Sequence, residues 1–178
     1  MLDTAARLFY ARGVHEVGMD ELVQATGLGK ATVYRLYPSK DDLVAAYLRR
    51  LAETILNAID AEIARHDGDP AAALLGILDA IEADLRRPGF RGCAFNNASI
   101  EYDDPAHPAR AQARGYREAL RVRLTSLASR LDPAGGPALG GQLAVLVDGA
   151  YTSAAHLGPD GPAADGLRLA RQLIRERR

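Results

Sequence analysis

Apolar residues recur every three or four positions along most of this chain, and breaks rich in glycine or proline divide the pattern into segments. This spacing places the apolar side chains on one face of a helix. The sequence lacks the strict apolar–polar alternation and the glycine hairpin turns between β-branched runs that indicate strands. It therefore predicts an all-α protein of about nine helices. They are expected at residues 2–12, 19–26, 30–37, 40–65, 71–87, 93–102, 109–131, 139–157 and 162–175.

Charge balance and cysteine content narrow the class of protein. The 22 lysine and arginine residues are matched by 23 acidic residues, for a net charge of −1. This balance excludes a protein that binds nucleic acid through a uniformly basic surface, but it does not exclude a local basic patch. Cys93 is the only cysteine, so no intrachain disulfide can form. Because no apolar run approaches the ~20 residues of a membrane span, we expect a cytoplasmic protein with no membrane partner.

Motifs of catalysis and metal binding are missing from the sequence. It contains no nucleophile-elbow, phosphate-loop or zinc-protease motif. The histidines, at His15, His66, His107 and His156, do not have the spacing of metal ligands. We therefore expect no enzymatic activity, no metal and no cofactor.

The first three predicted helices are short, and the turn Gly27–Gly29 between the second and third is tight. This is the plan of a tri-helical helix-turn-helix domain. Pro38 ends the third helix because it cannot donate to the helical ladder. Ser39 and Asp42 then form a capping-box pattern that starts the long fourth helix.

The segment Leu22–Lys40 contains no acidic residue. It carries the cations Lys30, Arg35 and Lys40 and the hydroxyls of Thr32, Tyr34 and Tyr37. Cations, hydroxyls and the free N–H groups at the start of the third helix are what phosphate binding needs. The pattern favours a DNA-binding surface. On charge and spacing alone, a solvated face or a surface for an acidic protein partner stays open as an alternative.

The first 51 residues resemble the N-terminal domain of the TetR/AcrR family of bacterial repressors. The resemblance lies in ordered blocks with matching spacing: Ala5–Phe9, Gly13, Met19–Leu22, Gly27–Tyr34 and Tyr37–Leu43. It implies a division into a DNA-binding domain at residues 1–47 and a helical ligand-sensing and dimerisation domain at residues 48–178. It also implies double-stranded operator DNA as a partner, a homodimer and a small-molecule effector of unknown identity.

The resemblance assigns roles within the helix-turn-helix. Lys30, Ala31, Arg35 and Leu36 would face base edges in the major groove, and Thr32, Tyr34 and Lys40 would hold phosphates. Val33 and Tyr37 would mostly pack the core. Departures from the family pattern are Gly18 and Gly29, where hydroxyl residues are frequent, and Leu36 in place of a common histidine. The sequence also starts directly at the first helix without a basic arm, so we expect the helix-turn-helix to carry a larger share of binding.

The last two predicted helices carry the stripes that we interpret as a dimer interface. One helix offers Leu139–Leu143 and Gly149–Tyr151, and the other offers Leu167, Ala170, Leu173 and Ile174. Together they could form a four-helix bundle across a two-fold axis. The alternative is that these stripes close the core of a single protomer.

A ligand pocket is expected among the fifth to eighth helices, since pockets combine apolar walls with a few polar groups. The candidates are Phe90, Cys93, Phe95, Asn96, Asn97, Tyr102, Tyr116, Tyr151 and His156. Asn96–Asn97 could equally be loop-facing or capped, and Cys93 could be a small buried apolar residue or a redox sensor. The hypothesis is thus a ligand-responsive repressor that binds a palindromic operator as a homodimer. The alternative is a helical protein-interaction module without ligand response.

Overall fold

The computed structural model describes residues 1–177, and all regular structure in them is helical. The helices are α1 (Leu2–Arg12), α2 (Met19–Thr26), α3 (Lys30–Leu36), α4 (Lys40–Arg65), α5 (Pro70–Leu85), α6 (Ala94–Ile100), α7 (Pro108–Leu131), α8 (Gly136–Leu157) and α9 (Pro162–Arg175). The predicted all-α fold is confirmed. No helix within residues 1–177 is long and apolar enough to cross a membrane.

Helix ends follow local backbone chemistry. Asp42 and Ser39 cap α4 reciprocally: Asp42 N–H donates to Ser39 Oγ and Ser39 N–H donates to Asp42 Oδ2, both at 3.1 Å. The predicted capping box is therefore confirmed. The third helix ends at Leu36, before the predicted Tyr37, because a residue that precedes proline avoids the helical region and Tyr37 is extended. In contrast, α8 begins at Gly136 rather than at Leu139, since Pro137 is tolerated in a first turn.

The chain divides into two compact units. The head unit comprises Met1–Glu53 and Cys93–Tyr116, and the body unit comprises Thr54–Gly92 and the chain from Arg117 onward. Thus α6 and the first part of α7 pack with the N-terminal helices. The predicted division of function at residues 47 and 48 falls within α4 and stays a prediction.

The head unit is built around a small apolar core. Phe9 of α1 and Tyr47 of α4 are both buried, with ring centroids 5.9 Å apart. Leu22 of α2 and Val33 of α3 are fully buried in the same unit. These side chains hold α2 and α3 in place, so that the opposite face of α3 is left to solvent.

In the body unit, α8 lies very close to α7. A β-carbon at Gly140 would lie 2.5 Å from the backbone Cα of Thr125, and one at Gly136 would lie 2.4 Å from Cα of Ser129. The small residues of α8 therefore serve contact with α7 inside the protomer. In the same unit, Arg171 of α9 bridges Asp79 and Glu82 of α5 at 2.6 and 2.7 Å.

The stripes interpreted as a dimer interface are largely buried within the protomer. The buried members are Leu139, Gly140, Leu143, Ala150, Leu167, Ala170 and Ile174. These side chains pack in the core of the body unit, which agrees with the alternative considered for them, closure of the protomer's core. The predicted homodimer through the last two helices is not tested by their burial and stays a prediction.

Candidate nucleic-acid interface and ligand-binding residues

The turn between α2 and α3 depends on a glycine at one position. Gly27 adopts the left-handed conformation with φ of 67°, and its N–H donates to the carbonyl of Gln24. Such a backbone is costly for residues with a β-carbon. Gly29 follows in an extended conformation and is the N-cap of α3. The tight turn predicted from Gly27–Gly29 is thus present, and it fixes the direction in which α3 leaves α2.

One face of α3 is anchored and the rest is open. Val33 is fully buried, and Thr32 is half-buried. The exposed residues of the helix are Lys30, Ala31, Tyr34, Arg35 and Leu36. Leu36 is 54% exposed. The structure therefore gathers most of the predicted DNA-contacting residues on one solvent-facing surface.

Lys30 has an intramolecular partner that its own segment does not suggest. Its Nζ lies 2.8 Å from Asp20 Oδ1 at the start of α2, and 5.9 Å from the ring centroid of Tyr34. The hydrogen bond to Asp20 raises the pKa of Lys30 further above its ordinary value. Sequence reasoning missed this pair because it counted charges along the Leu22–Lys40 segment. The fold instead brings in an acid from the preceding helix.

Lys40 lies in the first turn of α4 and is half-buried. Its Nζ donates to the backbone carbonyl of His15 at 3.2 Å. An ammonium carries three N–H donors, so this bond leaves capacity for a phosphate. Tyr37, predicted to pack the core, is half-buried.

The candidate ligand residues fall into separate groups. In the head unit, Phe95 stacks on Tyr116 with ring centroids 3.9 Å apart and planes 9° apart. Phe95 is buried, whereas Asn96 and Asn97 on α6 and Cys93, its N-cap, are half-buried.

In the body unit, Phe90 and Tyr151 lie 5.9 Å apart between ring centroids. The Tyr151 hydroxyl donates to Asp84 Oδ2 at 2.9 Å, and Arg87 Nε lies 2.7 Å from Asp84 Oδ1. Arg87 also lies over the Phe90 ring, at 5.6 Å from its centroid. Asp84 and Arg87 were not among the sequence candidates. The available signal was their i, i+3 spacing at the end of a helix, which is common on helix surfaces.

Two candidates lie away from both groups. Tyr102 stacks on His107 at 3.6 Å between centroids and meets the edge of His15 at 5.0 Å. His156 is exposed on α8, where its Nδ1 lies 2.9 Å from the carbonyl of Thr152. The structure thus does not bring Tyr102 or His156 together with either aromatic pair.

Comparisons with known proteins agree with this geometry. The family model for bacterial regulatory proteins of the TetR family matches residues 1–47. An HTH-type transcriptional regulator from Mycobacterium tuberculosis is 38% identical over 64 residues, which is 36% of this chain and 32% of that protein. The HTH-type transcriptional activator FasR from Mycolicibacterium smegmatis is 32% identical over 59 residues, 33% of this chain and 27% of FasR. The match thus spans about a third of the length of these relatives.

Two solved structures match nearly the whole chain. A TetR-family transcriptional regulator from Streptomyces coelicolor is 33% identical with a TM-score of 0.92, covering 98% of this chain and 92% of that one. A TetR transcriptional regulator from Streptomyces avermitilis is 31% identical with a TM-score of 0.79, covering 98% and 94%. Identity at this level over such coverage extends the match beyond the helix-turn-helix. The chain belongs to the TetR family of transcriptional regulators.

Proposed function

We propose that this regulator represses transcription by binding a palindromic operator as a homodimer, and that a small-molecule effector releases it. The observation that carries the proposal is the exposed face of α3. Lys30, Arg35 and Leu36 lie on it, while Val33 on the opposite side of the helix is buried in the core. A helix held by one buried side chain can enter the major groove without disturbing the core behind it.

The exposed side chains suit two kinds of DNA contact. Arg35 and Lys30 can donate to guanine O6 and N7, while Ala31 and Leu36 can contact a thymine methyl group. Thr32, Tyr34 and Lys40 offer hydroxyl and ammonium donors for phosphates, which position the protein without reading sequence. Lys30 must exchange Asp20 for a base in this arrangement.

The test separates base reading from phosphate binding. The full chain is first used to select its preferred duplex from a random library. Arg35→Ala should then lose about 10- to 100-fold on the selected duplex and much less on random DNA. Arg130→Ala, which removes an exposed arginine from α7, is the matched control and should change neither affinity.

Lys40→Ala should behave differently from Arg35→Ala. Because a phosphate contact is independent of sequence, it should weaken binding to both duplexes and lower the salt slope by about 1. An equal loss on both duplexes for Arg35→Ala would contradict its role in base reading. Unchanged affinity of a Tyr34→Ala, Lys40→Ala double variant would remove these two residues from the interface.

The homodimer is proposed to form through the outer faces of α8 and α9. Val145 is 71% exposed and Leu169 is 45% exposed, and Gly149 is exposed on the same side of α8 as Val145. Apolar and small residues of this kind allow two helices to approach closely across a two-fold axis. A palindromic site requires such symmetry.

Matched valines test the dimer. Val145→Arg should give a monomer in sedimentation at micromolar concentration, because it places an unpaired charge in the interface. Val122→Arg introduces the same change at a valine of α7 that is 50% exposed, and it should leave the dimer intact. A dimeric Val145→Arg protein would move the interface elsewhere.

The effector is proposed to bind at the Phe90–Tyr151 pair of the body unit. These rings offer apolar surface, and Tyr151 with Asp84 adds a polar group that could orient a ligand. Native mass spectrometry of the full chain purified from its own host should show a retained small molecule that Tyr151→Ala loses and that Tyr34→Ala, on the exposed face of α3, keeps.

Repression is the direction of regulation that we propose, in which the bound dimer excludes polymerase from the promoter. One relative, FasR, is an activator. A reporter on a promoter that contains the selected duplex measures the direction. Its expression should fall when this chain is supplied, and a rise would show activation.

A further inference from the structure

Glu101, directly after α6, holds the turn that follows α1. Its Oε1 accepts the N–H of Val14 at 3.0 Å, and its Oε2 accepts the N–H of His15 at 2.8 Å. Both carboxylate oxygens are therefore used on backbone donors more than eighty residues away in sequence. Hydrogen bonds to a carboxylate are stronger than those between neutral groups. The contact is an anion held by successive N–H groups.

Gly13 is shaped for this contact. It adopts a φ of +99°, a backbone conformation that L side chains rarely adopt. A β-carbon at this position would lie 3.0 Å from Glu101 Oε1 and 3.4 Å from Oε2. Both the backbone and the available space favour glycine where the carboxylate approaches. The two residues are thus matched to each other.

The same turn is held from a second side. The carbonyl of His15 accepts from Lys40 Nζ at 3.2 Å, so the N–H and the C=O of His15 are both engaged. The His15 ring packs against Tyr102, which stacks on His107. His107 Nε2 in turn lies 3.3 Å from Asp41 Oδ2 in the first turn of α4.

These contacts join residues 101–107 to the turn before α2 and to the start of α4, the two elements that flank the helix-turn-helix. His107 also accepts the N–H of Ala109 through Nδ1 at 3.2 Å, which ties this loop to the first turn of α7. The orientation of α2 and α3 within the head unit is therefore set in part from the α6–α7 segment. That segment continues at both ends into chain belonging to the body unit.

We propose that Glu101 is a positioning residue for DNA reading: it fixes the turn after α1 and, through it, the direction in which each copy of the chain presents α3. This rests on the proposed binding of two half-sites by a homodimer. Glu101 touches no DNA in this account. Its loss leaves the cations of α3 in place but allows each helix-turn-helix to tilt, so selectivity for the spacing of half-sites is lost before general affinity.

The experiment compares the full-length wild type with Glu101→Ala and Glu101→Gln. The matched control is Glu16→Gln, which removes one carboxylate charge at an exposed residue of the turn that Glu101 holds. Hydrogen exchange of the Val14 and His15 amides reports the contact itself. Binding is measured on the duplex selected by the wild type, on versions with one or two base pairs added or removed between half-sites, and on random duplex.

We expect exchange at Val14 and His15 to be about tenfold faster in both Glu101 variants, as for loss of one charge-assisted bond. Affinity for the selected spacing should fall about tenfold, and the preference over altered spacings should shrink to about twofold, with random DNA bound nearly as before. Glu101→Gln keeps the side-chain volume, so it tests the role of the carboxylate even if Glu101→Ala does not fold.

Three results would overturn the proposal. These are wild-type spacing selectivity in both variants, an equal loss on selected and random DNA, and the same loss in Glu16→Gln. If the wild type itself selects no duplex, the proposed function fails. Hydrogen exchange tests the Glu101 contact independently of DNA binding, so unchanged exchange at Val14 and His15 in the variants would contradict that contact in either case.

Discussion

Helices α3 and α8 both combine small residues with a few large apolar ones, yet the structure uses them in opposite ways. Only Val33 of α3 is buried, and its other side chains are exposed or half-buried. Most of the apolar stripe of α8, including Leu139, Leu143 and Val147, is buried. The comparison teaches that helical periodicity identifies which face of a helix is buried, but not which part of the molecule covers that face. The apolar face of α8 is covered largely by other helices of the same protomer.

The largest expected effect on stability comes from a substitution that disrupts the contact between α8 and α7. Gly140→Ala places a β-carbon 2.4 Å from Thr125 Oγ1 and 2.5 Å from Thr125 Cα, and a backbone cannot yield as a flexible side chain can. We expect it to lower the free energy of unfolding by about 2–3 kcal/mol, measured by urea denaturation.

Gly115→Ala is the control for Gly140→Ala. Gly115 is exposed on α7, and a β-carbon there meets no atom within 4 Å. This substitution should stabilise the protein by about 0.5–1 kcal/mol through helix propensity alone. If both variants shifted stability in the same direction, the close approach of α8 to α7 would be contradicted.

The next prediction compares the stability of two variants of α3, one on its buried side and one on its exposed side. Val33→Ala removes buried methyl groups and should cost about 2 kcal/mol of unfolding free energy. Leu36→Ala removes a larger side chain that is 54% exposed, and it should change stability by less than about 0.5 kcal/mol. Thermal or urea unfolding of the two variants measures the contrast. A destabilised Leu36→Ala protein would show that Leu36 packs rather than faces DNA.

A smaller effect concerns the ion pair between α2 and α3. Both Asp20 and Lys30 are exposed, so their pair adds little stability. Asp20→Asn frees Lys30 and removes a negative charge near phosphates, so affinity for random DNA should rise about two- to threefold at low salt. Glu118→Gln, which frees Arg121 on α7 in the same way, is the control and should have no such effect. Weaker binding by Asp20→Asn would mean that Asp20 orients Lys30 for DNA.

The smallest expected effect is on the titration of Tyr102, which lies between α6 and α7. Burial, together with the nearby carboxylates of Asp41 and Glu101, raises the pKa of Tyr102 to about 12. Because the folded-state pKa lies above the ordinary value of 10, the stability that Tyr102 contributes is complete below pH 10 and is lost as the pH rises towards 12.

A difference absorbance titration of wild type against Tyr102→Phe checks this pKa. At pH 11 the Tyr102 signal should still be that of the neutral phenol. Ionisation near pH 10 would place Tyr102 in open solvent rather than between His15 and His107.

Local chemistry made much of the fold predictable. The helices α1, α2, α4 and α9 begin and end where spacing and punctuation predicted, and the capping box of Ser39 is present. Such features depend on neighbours in sequence. The exposed face of α3, which we propose reads DNA, was also predictable, since it follows from one buried residue in a short helix.

Long-range contacts were not predictable from the sequence. The pairing of Lys30 with Asp20 and the hold of Glu101 on Val14 and His15 depend on tertiary placement. Tyr102 was grouped with the ligand candidates by residue type, yet it packs between two histidines of the head unit. Residue type predicts what a side chain can do, whereas its position in the fold decides which group it meets.

Methylation interference on the selected duplex tests most directly whether two copies of α3 read DNA in the major groove. Methyl groups at guanine N7 lie in the major groove, and those at adenine N3 lie in the minor groove. The account predicts that N7 methylation blocks binding at two symmetry-related positions about one helical turn apart, or a multiple of it. It also predicts that Arg35→Ala loses this sensitivity. Interference only from adenine N3, or at a single site, would contradict it.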